Sequence, residues 1–258
     1  VLASDYLCDR RFRTLFGVQA GSYFLETDLQ GGTFTITWFI ERFLAKAWAG
    51  VAEDALTFET MRMALEERAA ELAVGADGLM LLPYLEGERT PNLPDGTGVW
   101  FGANTRTHRR GYFARAAMEG VTMGMNYGLH RLAKLGVKAK QIRATGGGAR
   151  SKLWRQIMAD VFNAEVVTLA VGEGAAYGAA LQAMWCRRRK CGERISISDL
   201  SDQFVRLNVR ETARPKKRNV IVYREIQAIQ DDLSVHKIAR LKPAAAQLNR
   251  PVTALRCA

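Results

Sequence analysis

Residues 144–162 read ATGGGARSKLWRQIMADVF, three consecutive glycines set between a short apolar run and an amphipathic stretch. Glycine gives up more backbone freedom on folding than any other residue, so three together imply a positive-φ turn or a close backbone approach. Downstream, Leu153, Trp154, Ile157, Met158, Val161 and Phe162 recur at helical spacing, and Ser151 stands where an N-cap belongs. Upstream, KQIRA (140–144) reads as a strand running into the glycines. Further on, EVVTLA (165–170) reads as a second strand and residues 172–185 as another helix. Strand, glycine turn, helix, strand, helix is the pattern of an α/β layer. The N–H groups of such a turn, backed by the helix dipole, suit an anion, and Arg150 and Lys152 add positive charge. The spacing fits neither the Walker loop nor the dinucleotide fingerprint. By form alone a nucleotide cradle and a plain strand-to-helix turn both stay open.

The composition of the 258 residues, 48% hydrophobic and 24% charged, suits one large or two modest globular domains and excludes a wholly disordered chain. No run approaches the ~18 apolar residues of a membrane span, and the first residues lack the pattern of a signal peptide, so the expected location is the cytoplasm. Cys8, Cys186, Cys191 and Cys257 match no zinc ligand set and read as free thiols. The net charge of +11 is unevenly placed, with 17 Lys and Arg against 7 Asp and Glu from Arg187 onward. That tail carries neither interleaved aromatics nor a reading element, so a solvated surface is expected, with no specific nucleic acid partner.

Helical spacing of apolar residues predicts helices over 35–48, 58–72 and 112–135, and the apolar run 78–85, closed by Pro83, predicts a buried strand. Gly120, Gly124 and Gly128 recur every fourth residue on one side of the third helix, which implies close packing against a neighbour. Glu86, Glu88 and Asp95 share one turn-rich loop. A general base has to come from such groups, but nothing in the sequence fixes them against a partner, and they read as loop charges. His108, His130 and His236 are too scattered for a metal set, and His130 reads as a surface or half-buried residue.

Three stretches taken together go further: FLETDLQGGTFTITWF (24–39); LLPYLEGERTPNLPDGTGVWFG (81–102) with ARAAMEGV (114–121); and GGGARSKLWRQIMADVF (146–162) with EGAAYGAALQA (173–183). They resemble the C-terminal half of the FGGY carbohydrate kinases, and within that family the xylulokinases, closely over 1–185 and more loosely in VIVYREIQAIQDDL (220–233). The resemblance implies a ribonuclease-H-like, actin-like ATPase lobe over 1–235, with a basic tail over 236–258. By position, Gly146, Gly147 and Gly148 would border the phosphates and ribose of ATP, and Ser151 would lie near the adenine. Glu88 to Pro91 (ERTP) and Glu119 look like family signature residues with structural or cleft-lining roles, and the small residues of EGAAYGAA imply a helix packed closely on the sheet. The implied cofactors are ATP and Mg²⁺, and the implied partners are a small-molecule sugar and an N-terminal lobe, with a possible homo-oligomer. Family members carry the catalytic Asp and a glycine-threonine phosphate loop ahead of the part matched, so no catalytic residue is expected in this chain. The expected activity is that of one lobe of a pentulose kinase, converting D-xylulose to xylulose 5-phosphate and inactive alone. A noncatalytic nucleotide-binding or assembly module and a polyanion-binding protein are the alternatives. Without its other lobe, Leu25, Phe34 and Trp38 are expected to be uncovered.

Overall fold

A single helix of 25 residues, α3 (Arg110–Lys134), gathers the rest of the chain around it, because most of its circumference is apolar or small. The computed structural model describes residues 2–9, 12–19, 21–44, 58–137 and 139–234. The basic tail over 236–258, with His236, lies outside the described residues. So does the remainder of the first expected helix after residue 44.

The chain starts with an antiparallel sheet of β1 (Leu2–Ala3), β2 (Arg13–Phe16) and β3 (Tyr23–Glu26), in the order β1-β3-β2. Helix α1 (Gly32–Phe39) follows, continues as a π-helical turn over Ile40–Leu44, and α2 (Phe58–Ala70) comes after it. The apolar run does form a buried strand, β4 (Met80–Leu82), paired antiparallel with β5 (Val99–Phe101) across the turn-rich loop. After α3 come β6 (Gln141–Ala144), α4 (Lys152–Phe162), β7 (Glu165–Leu169) and α5 (Gly174–Lys190). This is the expected α/β run, with β6 and β7 parallel as a helical crossover requires. Last are α6 (Ile197–Phe204), β8 (Leu207–Ala213), which joins β7 antiparallel, and α7 (Lys217–Asp232).

Ile36, Phe39, Leu81, Val121, Trp154, Ile157 and Val166 share one core, so α1, β4, α3, α4 and β7 bury their apolar faces together. The glycines of α3 make this approach possible. A Cβ on Gly120 would overlap the Leu81 carbonyl oxygen, one on Gly124 would stand 2.8 Å from Leu29 Cδ1, and one on Gly128 would meet Thr27. Helix α7 lies over the opposite side, where Gln227 Nε2 donates to the Met123 carbonyl (3.1 Å) and Gln230 Nε2 to the Gly120 carbonyl (3.1 Å). Inside, Arg115 Nε (2.8 Å), Tyr223 Oη (2.7 Å) and the Gly75 N–H (3.1 Å) all donate to Glu119 Oε1. Glu119 thus has the structural role expected of it, joining α3 to α7 and to the turn after α2.

Two expectations are corrected. Leu25 is 1% exposed, since β3 lays it against Phe12 and Leu132, whereas Phe34 is 51% exposed and Trp38 half-buried. The small residues of α5 do not pack closely on the sheet. Among the described residues only Leu181 of that helix is buried, and its anchors lie around α6: Tyr177 Oη donates to the Phe204 carbonyl (2.9 Å) and Trp185 Nε1 to the Ile195 carbonyl (2.9 Å). No helix among the described residues is long and apolar enough to cross a membrane.

Candidate functional site

The glycine turn begins at Gly146, whose φ of +86° is one that side-chain-bearing residues avoid. A 3₁₀ turn over Gly147–Arg150 follows, and α4 starts when Ser151 Oγ accepts the Trp154 N–H at 3.0 Å. Ser151 is the expected N-cap, an arrangement worth about 1 kcal/mol to a helix. What the sequence did not signal is the brace behind the turn. Arg155, 6% exposed, donates through Nη1 to the carbonyls of Ala149 (2.6 Å) and Arg150 (3.1 Å), so a buried guanidinium satisfies acceptors that the turn leaves over.

The turn divides two hollows. On one side is a cleft of about 240 Å³ walled by Gly147, Gly148, Arg150 and Ser151, with Thr33, Ile36 and Thr37 of α1 facing them, Met118 and Trp154 at its base, and Glu66 from α2. On the other is a hollow of about 210 Å³ lined by Thr145, Gly146, Thr168, Gly172, Asn208 and Glu211. Three of the four site residues expected from the sequence therefore meet in one cleft, while Gly146 faces its neighbour. A Cβ on Gly146 or Gly147 would meet nothing within 4 Å, so the backbone there is open to approach. A Cβ on Gly148 would stand 3.1 Å from the Trp154 ring and 3.3 Å from Thr33 Cγ2, so that glycine lets α1 come near.

Of the loop carboxylates, Glu88 is not the loose charge that spacing suggested but has the structural role that the resemblance implied: it is 2% exposed and firmly held. Its Oε1 accepts the N–H groups of Gln30 (3.0 Å), Arg89 (2.7 Å) and Thr90 (3.3 Å). Burial pushes its carboxyl up from the ordinary range, and these backbone donors, with that of Gly31, pull it back. On balance the carboxyl stays above its ordinary range, while its oxygens are taken up by backbone donors. Glu88 is thereby a positioning residue, because Gln30 and Gly31 lead directly into α1, the far wall of the cleft.

Residues 11–186, well over half of the chain, match the C-terminal domain of the FGGY family of carbohydrate kinases. The chain belongs to that family. It is 39% identical over 159 residues to a xylulose kinase of Haemophilus influenzae, covering 62% of this chain and 31% of that protein. A gluconokinase of Bacillus licheniformis is 34% identical over 172 residues, covering 66% of this chain and 32% of that one. The crystal structure of a xylulose kinase from Rhodospirillum rubrum superposes with a TM-score of 0.73 at 27% identity, covering 90% of this chain and 43% of its own. The fold is thus the C-terminal lobe of an FGGY kinase, of actin-like ATPase type. The chain spans about a third of the length of the curated relatives it matches.

Proposed function

We propose that this chain is the ATP-side lobe of a sugar kinase that moves the γ-phosphate of ATP onto a pentulose, converting D-xylulose to xylulose 5-phosphate. The observation that carries the reading is the open glycine turn, capped by Ser151, at the rim of a cleft that α1 walls from the other side, in a chain of FGGY descent. The residues present suit such a ligand. The bare backbone at Gly146 and Gly147 admits phosphate or ribose, Arg150 supplies a cation, and Ile36, Met118 and Trp154 offer apolar walls for a base. Ser151 Oγ, engaged as an acceptor by the helix, keeps its own hydrogen to donate. Among the described residues no group of three or more His, Cys, Asp or Glu side chains could hold a metal ion, so Mg²⁺ is read as the companion of the phosphates.

In this reading the lobe binds and orients, while the acceptor sugar and the base that takes its proton belong to an N-terminal lobe. The cytoplasm is the matching location. The similarity to a gluconokinase makes D-gluconate the second acceptor to test. The exposed Arg187, Arg189 and Lys190 at the end of α5 are read as solvated charge.

Gly147→Asp tests the site. No neighbour lies within 4 Å of a Cβ there, and the backbone is not in the left-handed region, so stability is expected to hold. Calorimetric titration with ATP·Mg is expected to show affinity falling by about tenfold or more, as an introduced carboxylate opposes phosphate. Equal affinity for two folded proteins would remove the turn from the site. A second expectation concerns turnover. In a coupled ADP-release assay with D-xylulose or D-gluconate, the chain alone is expected to be silent, and activity is expected to appear on co-expression with the N-terminal half of a relative. Turnover by the single chain would place a base within these residues.

A further inference from the structure

At the far end of α3, Tyr127, His130, Arg131 and Lys134 line a hollow of about 280 Å³ with Asp231 of α7. It shares no residue with the cleft beside the glycine turn. The geometry points to a binding site for a sugar phosphate, its phosphate held by His130, Arg131 and Lys134 and a hydroxyl by Asp231.

Lys134 follows His130 by four residues and Arg131 by three, so on the helix surface it lies between them and all three border the same hollow. Cations in a last turn also complement the helix dipole, and that alone accounts for Arg131 and Lys134. It does not account for how Arg131 is held. Its Nη2 donates to Tyr127 Oη at 2.8 Å, and its guanidinium carbon lies 4.7 Å from the centre of the same ring. The buried tyrosine thereby fixes the fork in place, which lowers the ordering cost of a bidentate contact with phosphate.

The electrostatics agree. His130 is exposed at the rim, yet the protein packed around its ring holds the imidazole below its ordinary value; Asp231 opposes this, and Lys134, Arg131 and Arg224 push it lower again. Positive charge here is therefore only partly neutralised. His130 is also 3.2 Å from Asn126 Nδ2 through Nε2. The Asp231 carboxylate, which accepts from Gln227 Nε2 at 2.7 Å through Oδ1, disfavours a bare anion and suits a ligand that brings a hydroxyl donor with its phosphate.

The test follows the His130 ring by NMR through a pH titration, its signal identified by its loss in His130→Gln, with millimolar inorganic phosphate, sulfate or a pentose phosphate added in turn. A phosphate beside the ring favours imidazolium, so the pentose phosphate is expected to move the His130 titration to higher pH. Arg131→Gln, at a half-buried position, and Lys134→Gln, at an exposed one, are each expected to weaken binding about tenfold, the loss of one charge-assisted hydrogen bond. Asp231→Asn is expected to remove the advantage of pentose phosphate over inorganic phosphate. Equal response to all three anions would reduce the site to a general cation patch and overturn the proposal. So would an unmoved His130, or binding that persists in the Arg131→Gln, Lys134→Gln double variant.

Discussion

Glu119→Leu is expected to destabilise the protein by about 3–5 kcal/mol, a large part of a typical domain's total, because it leaves a buried cation without its anion. Glu119 and Arg115 are 2% and 4% exposed, and one oxygen of Glu119 collects a guanidinium, a phenol and a backbone N–H. Burial pushes the Glu119 carboxyl up and works against the charge on Arg115, while the attraction between the two favours the charged form of each. Three donors on one oxygen fit a carboxylate, and Arg115 Nη1, donating to the Ala69 carbonyl at 2.9 Å, has no route to water when that carboxylate is gone. Urea denaturation measures the loss. The double variant Arg115→Met, Glu119→Leu is expected to recover at least ~1 kcal/mol of it, since both charges then leave the interior. A double variant as unstable as the single would show that packing volume, not charge, sets the cost.

Gly120→Ala is expected to be the most damaging alanine substitution among the glycines of α3. In an exposed helix this change gains about 1 kcal/mol. Here the new methyl meets the Leu81 carbonyl, a backbone group inside a paired strand, so α3 and β4 must move apart, and a net loss of about 2–3 kcal/mol is expected. Gly124→Ala offers the comparison. Its methyl meets only the end of the Leu29 side chain, which can turn away, and the change is expected to be close to neutral. Thermal melts of the two variants check the ranking, and equal losses would contradict it.

Periodicity made much of this fold legible. The faces of α3 and α4, the strand–turn–helix run from β6 to α5, the Ser151 cap and the close approach at the α3 glycines all leave their mark in local spacing. Spacing records which face is buried and not what buries it. Glu88 looked like a loop charge because its donors at Gln30 and Gly31 lie nearly sixty positions away, and Tyr223 reaches Glu119 across more than a hundred. Small residues in α5 promised close packing, yet smallness permits an approach without requiring one. For the site, the turn and its cap were local and readable. Its far wall at Thr33, Ile36 and Thr37 and the Arg155 brace exist only once the helices have docked.

The Glu88 clamp couples two parts of the molecule that sequence holds apart. Its Oε1 accepts the N–H groups of Arg89 and Thr90 in the ERTP loop and that of Gln30, two residues ahead of α1, so the two segments share one anchor. A substitution at this one position therefore acts at once on the loop and on the start of the cleft's far wall.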